Sequence, residues 1–179
     1  MEINELMNQA VKMKKKEMHI KPVVFVENNK GQLVLIGIAA EDMRRSLLHA
    51  GLKLSDEKFI IKKIFMVNEA WMSKIGKKDK SERAKKLAEE SMLPSQDPES
   101  IDIIMVSEWD VPKNKKSFVY QQYVRMEGSF MFNPPVVIKN PTAETAKFGT
   151  LAYLLKGYLQ PEKTREELKN SDTQIVIIR

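Results

Sequence analysis

Ile3, Leu6, Met7, Ala10, Val11 and Met18 recur at helical spacing and predict an amphipathic helix over residues 2–18. Lys14, Lys15 and Lys16 fall in its last turns, where cations suit the negative end of the helix dipole, and Pro22 prevents continuation. The pattern then shortens. Residues 23–26 and 33–38 are apolar and rich in β-branched side chains, and between them lies Glu27-Asn28-Asn29-Lys30-Gly31. That loop predicts a hairpin, with Gly31 supplying positive φ.

A short helix is expected over 40–50, with Met43, Leu47 and Ala50 on one face and Gly51 at the left-handed position beyond its end. A long strand follows over about 58–71; its unbroken run Ile64-Phe65-Met66-Val67 predicts burial on both faces. Two more strands are expected over 101–106 and 117–126. In the second, Phe118, Tyr120 and Val124 alternate with polar positions such as Gln121 and Arg125. Pro134-Pro135 breaks any ladder, so the strand at 136–138 belongs at an edge. Asn140 and Pro141 suit the start of a helix over 141–158, Pro161 starts a short charged helix, and 175–178 predicts a terminal strand inside the sheet.

These elements make an α+β fold: a mainly antiparallel or mixed sheet of about five to seven strands with flanking helices. One domain over 1–179 is expected, with residues 1–18 as its N-terminal helix and 73–100 as an exposed basic loop carrying one helical stretch near 81–91. The chain has no cysteine, which excludes disulfides, zinc-thiolate sites and thiol nucleophiles and fits a reducing, cytoplasmic setting. Its longest apolar run, over 33–40, falls well short of the about 20 residues that a membrane span needs, so no membrane partner is expected.

The net charge of +6 matters only where it gathers. Lys74, Lys77, Lys78, Lys80, Arg83, Lys85 and Lys86 oppose only Asp79 and Glu82, a candidate phosphate-binding stretch whose plainer reading is a solvated face. Met66-Val67-Asn68-Glu69-Ala70-Trp71 and Met105-Val106-Ser107-Glu108-Trp109-Asp110 echo one another. If the two strands are neighbours, Glu69, Glu108 and Asp110 could gather around Mg²⁺, as in metal-dependent nucleases; acidic strand ends paired with lysines are the plainer alternative.

His19 and His49 are isolated, each at the end of a helix, and no nucleophile turn, dinucleotide fingerprint or P-loop spacing occurs. No cofactor is therefore expected. Met126, Phe130, Met131 and Phe132 around Gly128-Ser129 suit a pocket, an interface or core packing.

At Glu69-Ala70-Trp71-Met72, followed by Pro94-Ser95-Gln96-Asp97-Pro98 and a return strand, the chain resembles an uncharacterised prokaryotic and phage-associated family, over about residues 20–126. The family has no established activity, and the resemblance implies none. It implies that Glu69, Trp71 and Asp97 form one structural unit, with Asp97 organising the turn before Pro98.

Three functions are expected, in this order. The first is a non-catalytic binding or assembly module that self-associates or takes a protein partner through the N-terminal helix or the segment 130–136. The second is a nucleic-acid-binding accessory protein using the 74–86 lysines, and the third a metal-dependent hydrolase.

Overall fold

The Asn28 side chain builds the first turn of the sheet. Its Oδ1 accepts from the backbone N–H groups of Lys30 and Gln32, both at 2.9 Å, while Gly31 takes φ of +77°. This turn joins β1 (Val23–Asn28) to β2 (Leu33–Gly37), as the spacing predicts. The computed structural model describes residues 1–16, 19–38, 42–73, 80–89, 96–139, 149–169 and 177–178.

The remaining elements are α1 (Ile3–Lys15), α2 (Met43–Asp56), β3 (Ile61–Met72), α3 (Glu82–Ala88), β4 (Ile101–Asp110), β5 (Lys115–Met126), β6 (Ser129–Phe132), β7 (Val136–Lys139), α4 (Gly149–Leu159), α5 (Pro161–Leu168) and β8 (Ile177–Ile178). The sheet runs β6-β5-β4-β3-β1-β2-β8, and β7 also lies against β5. Every pairing among the described residues is antiparallel. This is the expected α+β class, with helices on both faces.

The alternation of side chains divides the core in two. Val24, Val26, Ile64 and Met66 pack with Leu47, Leu54, Leu151 and Leu154 of α2 and α4. Phe65, Val67, Ile104, Val106 and Val119 point the other way and pack under Leu6, Met7 and Ala10 of α1. The run at 64–67 is thus buried on both faces. The apolar stripe of α1 belongs to the second core, so Leu6, Met7 and Ala10 are not open to self-association. Leu6 and Met7 are almost wholly buried, each contributing roughly 1.5–3 kcal/mol, so deleting residues 1–18 would strip that core.

Gly51 departs from its expected role. The helix does not stop there but continues through it to Asp56. A Cβ on Gly51 would lie 2.0 Å from the Leu154 carbonyl oxygen, and one on Gly157 would lie 2.2 Å from that of Leu48. The two glycines allow α2 and α4 to cross backbone to backbone. His49 consequently sits within a helix rather than at its end. Burial, followed by the nearby Arg45 charge, pushes its pKa down, which favours the neutral ring.

The outer edge of β5 carries a broken ribbon. β6 pairs with Tyr123–Met126, β7 pairs with Ser117–Tyr120, and Asn133-Pro134-Pro135 lies between. Asn133 N–H donates to the Gln122 carbonyl at 2.9 Å, and Gln121 Nε2 donates to the Asn133 carbonyl at 2.7 Å. These bonds hold the kink against β5. The expected edge strand at 136–138 is β7. The terminal strand, expected inside the sheet, instead ends the strand line, with β8 pairing to β2. The start of the helix expected from 141 lies outside the described residues. No helix among the described residues is long and apolar enough to cross a membrane.

Candidate functional site

The two echoing strands, β3 and β4, are indeed neighbours, but their direction separates the carboxylates. Glu69 lies opposite Ile104, whereas Glu108 lies opposite Phe65. Four residues of strand, about 13 Å, therefore divide the two positions along the ladder. The expected gathering of Glu69, Glu108 and Asp110 does not form, because antiparallel pairing sends equivalent strand ends to opposite ends of the sheet. Among the described residues, no three His, Asp or Glu side chains are grouped to hold a metal ion.

Each carboxylate has instead a local partner. Glu108 receives Lys63 Nζ at 2.8 Å, and this bond, outweighing partial burial, raises the lysine pKa. The Lys63 ammonium is thereby held in its charged form beside the sheet. Asp110 pairs with Lys113 at 3.4 Å and accepts from its backbone N–H at 3.2 Å, closing the β4–β5 turn.

Glu69 is the centre of a larger cluster. Its Oε1 takes Lys14 Nζ at 2.9 Å and the Ile20 N–H at 3.1 Å, and its Oε2 takes His19 Nδ1 at 2.9 Å. The Lys14 ammonium also lies 4.9 Å from the centroid of the Tyr123 ring and 5.0 Å from that of Phe130. Burial works against the Lys14 charge, but Glu69 and Tyr123 outweigh it and its pKa is raised. Burial also raises that of Tyr123. This cluster pins the end of α1, and the segment after it, onto the sheet. Its place in a run of lysines groups Lys14 with the surface cations. The helical period holds the contrary signal, since Met7, Ala10 and Lys14 share one face.

Asp97 belongs to a different cluster. Arg83 grips its carboxylate with Nε and Nη2, both at 2.7 Å, and the Glu99 N–H donates to Oδ1 at 3.1 Å. The Arg83 guanidinium holds the Asp97 carboxyl well below the usual carboxylate range. The expectation put the turn that Asp97 organises before Pro98, whereas its side-chain-to-backbone bond reaches forward across Pro98 to Glu99, and the Ser100 N–H donates to the Asp97 carbonyl. Glu69 turns toward α1, Asp97 turns toward α3, and Trp71 stands 57% exposed at the end of β3.

Of the basic stretch, Lys74, Lys77 and Lys78 lie outside the described residues, as does Pro94. Lys80, Lys85 and Lys86 are exposed, while Arg83 is engaged with Asp97 and with Glu99 at 3.1 Å. The seven cations expected to act together therefore include one, Arg83, that closes an internal clamp.

A feature that the sequence signals only in part is an apolar patch on the face of β5 shared with Phe118 and Tyr120. Val124 and Met126 continue that parity, Met131 lies opposite Val124, and Val136 lies opposite Tyr120. These four side chains are between 41% and 54% exposed. Phe130 and Phe132 take the opposite face and pack against the second core, with Tyr123 between them at ring-centroid distances of 5.7 and 5.9 Å. The segment 130–136 is thus divided by strand alternation into a core half and a surface half. No known protein family, characterised protein or solved structure matches the chain.

Proposed function

We propose that this protein is a non-catalytic assembly module that associates with a second copy of itself through the Val124, Met126, Met131 and Val136 face. The observation carrying this reading is the placement of three large apolar groups, Val124, Met126 and Met131, side by side on one exposed strand surface, with Val136 on the same face four residues further along β5. Single exposed apolar side chains are ordinary, whereas a contiguous group is costly to leave in water and suits an interface. Strand alternation gives the patch a flat, fixed backing, so little entropy is lost when a partner covers it. The internal pairing of Glu69, Glu108 and Asp110 supports a structural role for these carboxylates.

Sedimentation velocity over a range of protein concentrations tests the reading. Wild-type protein is expected to form a dimer or a larger closed oligomer. The double variant Val124→Lys, Met131→Glu should sediment as a monomer with an unchanged thermal midpoint, because both positions are exposed. A wild-type monomer at every concentration would overturn self-association.

A further inference from the structure

The cover that α1 provides is incomplete. The helix lies over β3, β4, β5 and β6. It runs from the Met1 amino group, 3.2 Å from Glu27, to Lys14 at Glu69, and therefore lies alongside β1 in the opposite direction. On the same sheet face, Val23, Phe25 and Leu35 of β1 and β2 are only half-buried. Between them and the helix is an open groove of about 410 Å³.

The groove is asymmetric in chemistry. Its helix wall is Leu6, Ala10 and Met13, and its floor is Val23, Phe25 and Leu35. Leu6 and Ala10 are each 3% exposed, so the accessible apolar surface is Met13 on the wall and the half-buried Val23, Phe25 and Leu35 on the floor. The polar lining is Gln9, His19 and Lys21, with no carboxylate among the lining residues. His19 is steadied through Nδ1 by Glu69, which leaves Nε2 as its second polar atom. Lys21 is exposed and has no acidic partner among the described residues. Lys21 follows the C-terminal end of α1, so one end of the apolar track carries a cation. A concave, mainly apolar site of this size with a few polar groups at one end is suited to a small amphipathic ligand.

We infer that this groove binds a free alkyl carboxylate, with its chain along Met13, Val23, Phe25 and Leu35 and its head group at Lys21, beside His19 Nε2. The Lys21 charge selects an anion over a cation, and the apolar floor selects an alkyl chain over a compact polar metabolite. The site is on the opposite face of the sheet from the proposed self-association patch, so the two readings stand or fall separately.

Isothermal titration calorimetry of the full chain with decanoate, decanol and decyltrimethylammonium, each below its micelle concentration, tests this inference. Decanoate should bind with saturation and more tightly than either comparator. Lys21→Glu should weaken decanoate by about fivefold or more while leaving decanol unchanged. Met13→Glu, at an exposed position on the groove wall, should weaken decanoate and decanol together. Backbone amide shifts on titration should centre on Ala10, Val23, Phe25 and Leu35. Equal affinity for decanoate and decanol, no saturable binding, or shifts centred on Val124 and Met131 would each overturn the assignment.

Discussion

Lys14 and Glu69 are nearly buried, at 11% and 13% side-chain exposure, and each is the other's principal counter-charge. Removing one partner strands the other, which is why breaking such a pair costs more than forming it gains. Glu69→Gln is expected to destabilise the fold by about 3 kcal/mol, and the double variant Lys14→Met, Glu69→Gln should recover most of that loss. Urea denaturation of the three proteins checks this. By contrast, the exposed Arg165–Asp56 pair should contribute less than about 1 kcal/mol. Only part of this site is legible in the sequence. Glu69 stands out for its place in a motif, but Lys14 lies on a helix far upstream of it and Tyr123 on a strand far downstream. Local spacing carries no information about such a meeting, and still less about whether two neighbouring strands run in the same direction. The carboxylate grouping expected from the echo fails on that second point.

The α2–α4 crossing reverses the usual sign of a helix substitution. Glycine inside a helix normally costs about 1 kcal/mol relative to alanine. At Gly51 and Gly157 an added methyl would meet backbone carbonyl oxygens, at 2.0 and 2.2 Å, which can yield only if the helices separate. Gly51→Ala should therefore lower stability by about 2–3 kcal/mol instead of raising it, and Gly157→Ala should do the same. Thermal or denaturant unfolding measures both. In the sequence Gly51 reads as a helix stop because glycine after an apolar face has the same local appearance in either role. The β1–β2 hairpin is legible because its turn uses the side chain of Asn28 and the positive φ of Gly31, both local. The two-sided burial of β3 is legible too, since a continuous apolar run has few other uses in a strand. β6 escapes notice because its four residues alternate between the core and the surface, and Pro134-Pro135 cuts it off from β7.

At the scale of the molecule, a net charge of +6 will attract polyanions whether or not a binding site exists. Under the assembly reading, duplex DNA and single-stranded RNA should bind only weakly and lose affinity steeply with salt. Reversing Lys80 and Lys85 to Glu should then weaken binding no more than reversing Lys12 and Lys16 at the C-terminal end of α1, all four being exposed. Fluorescence anisotropy at two salt concentrations makes the comparison; tight binding that depends on Lys80 and Lys85 alone would favour the nucleic-acid reading instead. The kink between β6 and β7 bears on how copies could join. An outer strand with an unbroken row of N–H and C=O groups can recruit another strand, and then another, into a fibril. Here Pro134 and Pro135 lack N–H donors, while Asn133 turns its own inward to Gln122. An incoming strand would find the middle of this margin unable to donate, so growth by strand addition is blocked on that side even with apolar side chains exposed nearby.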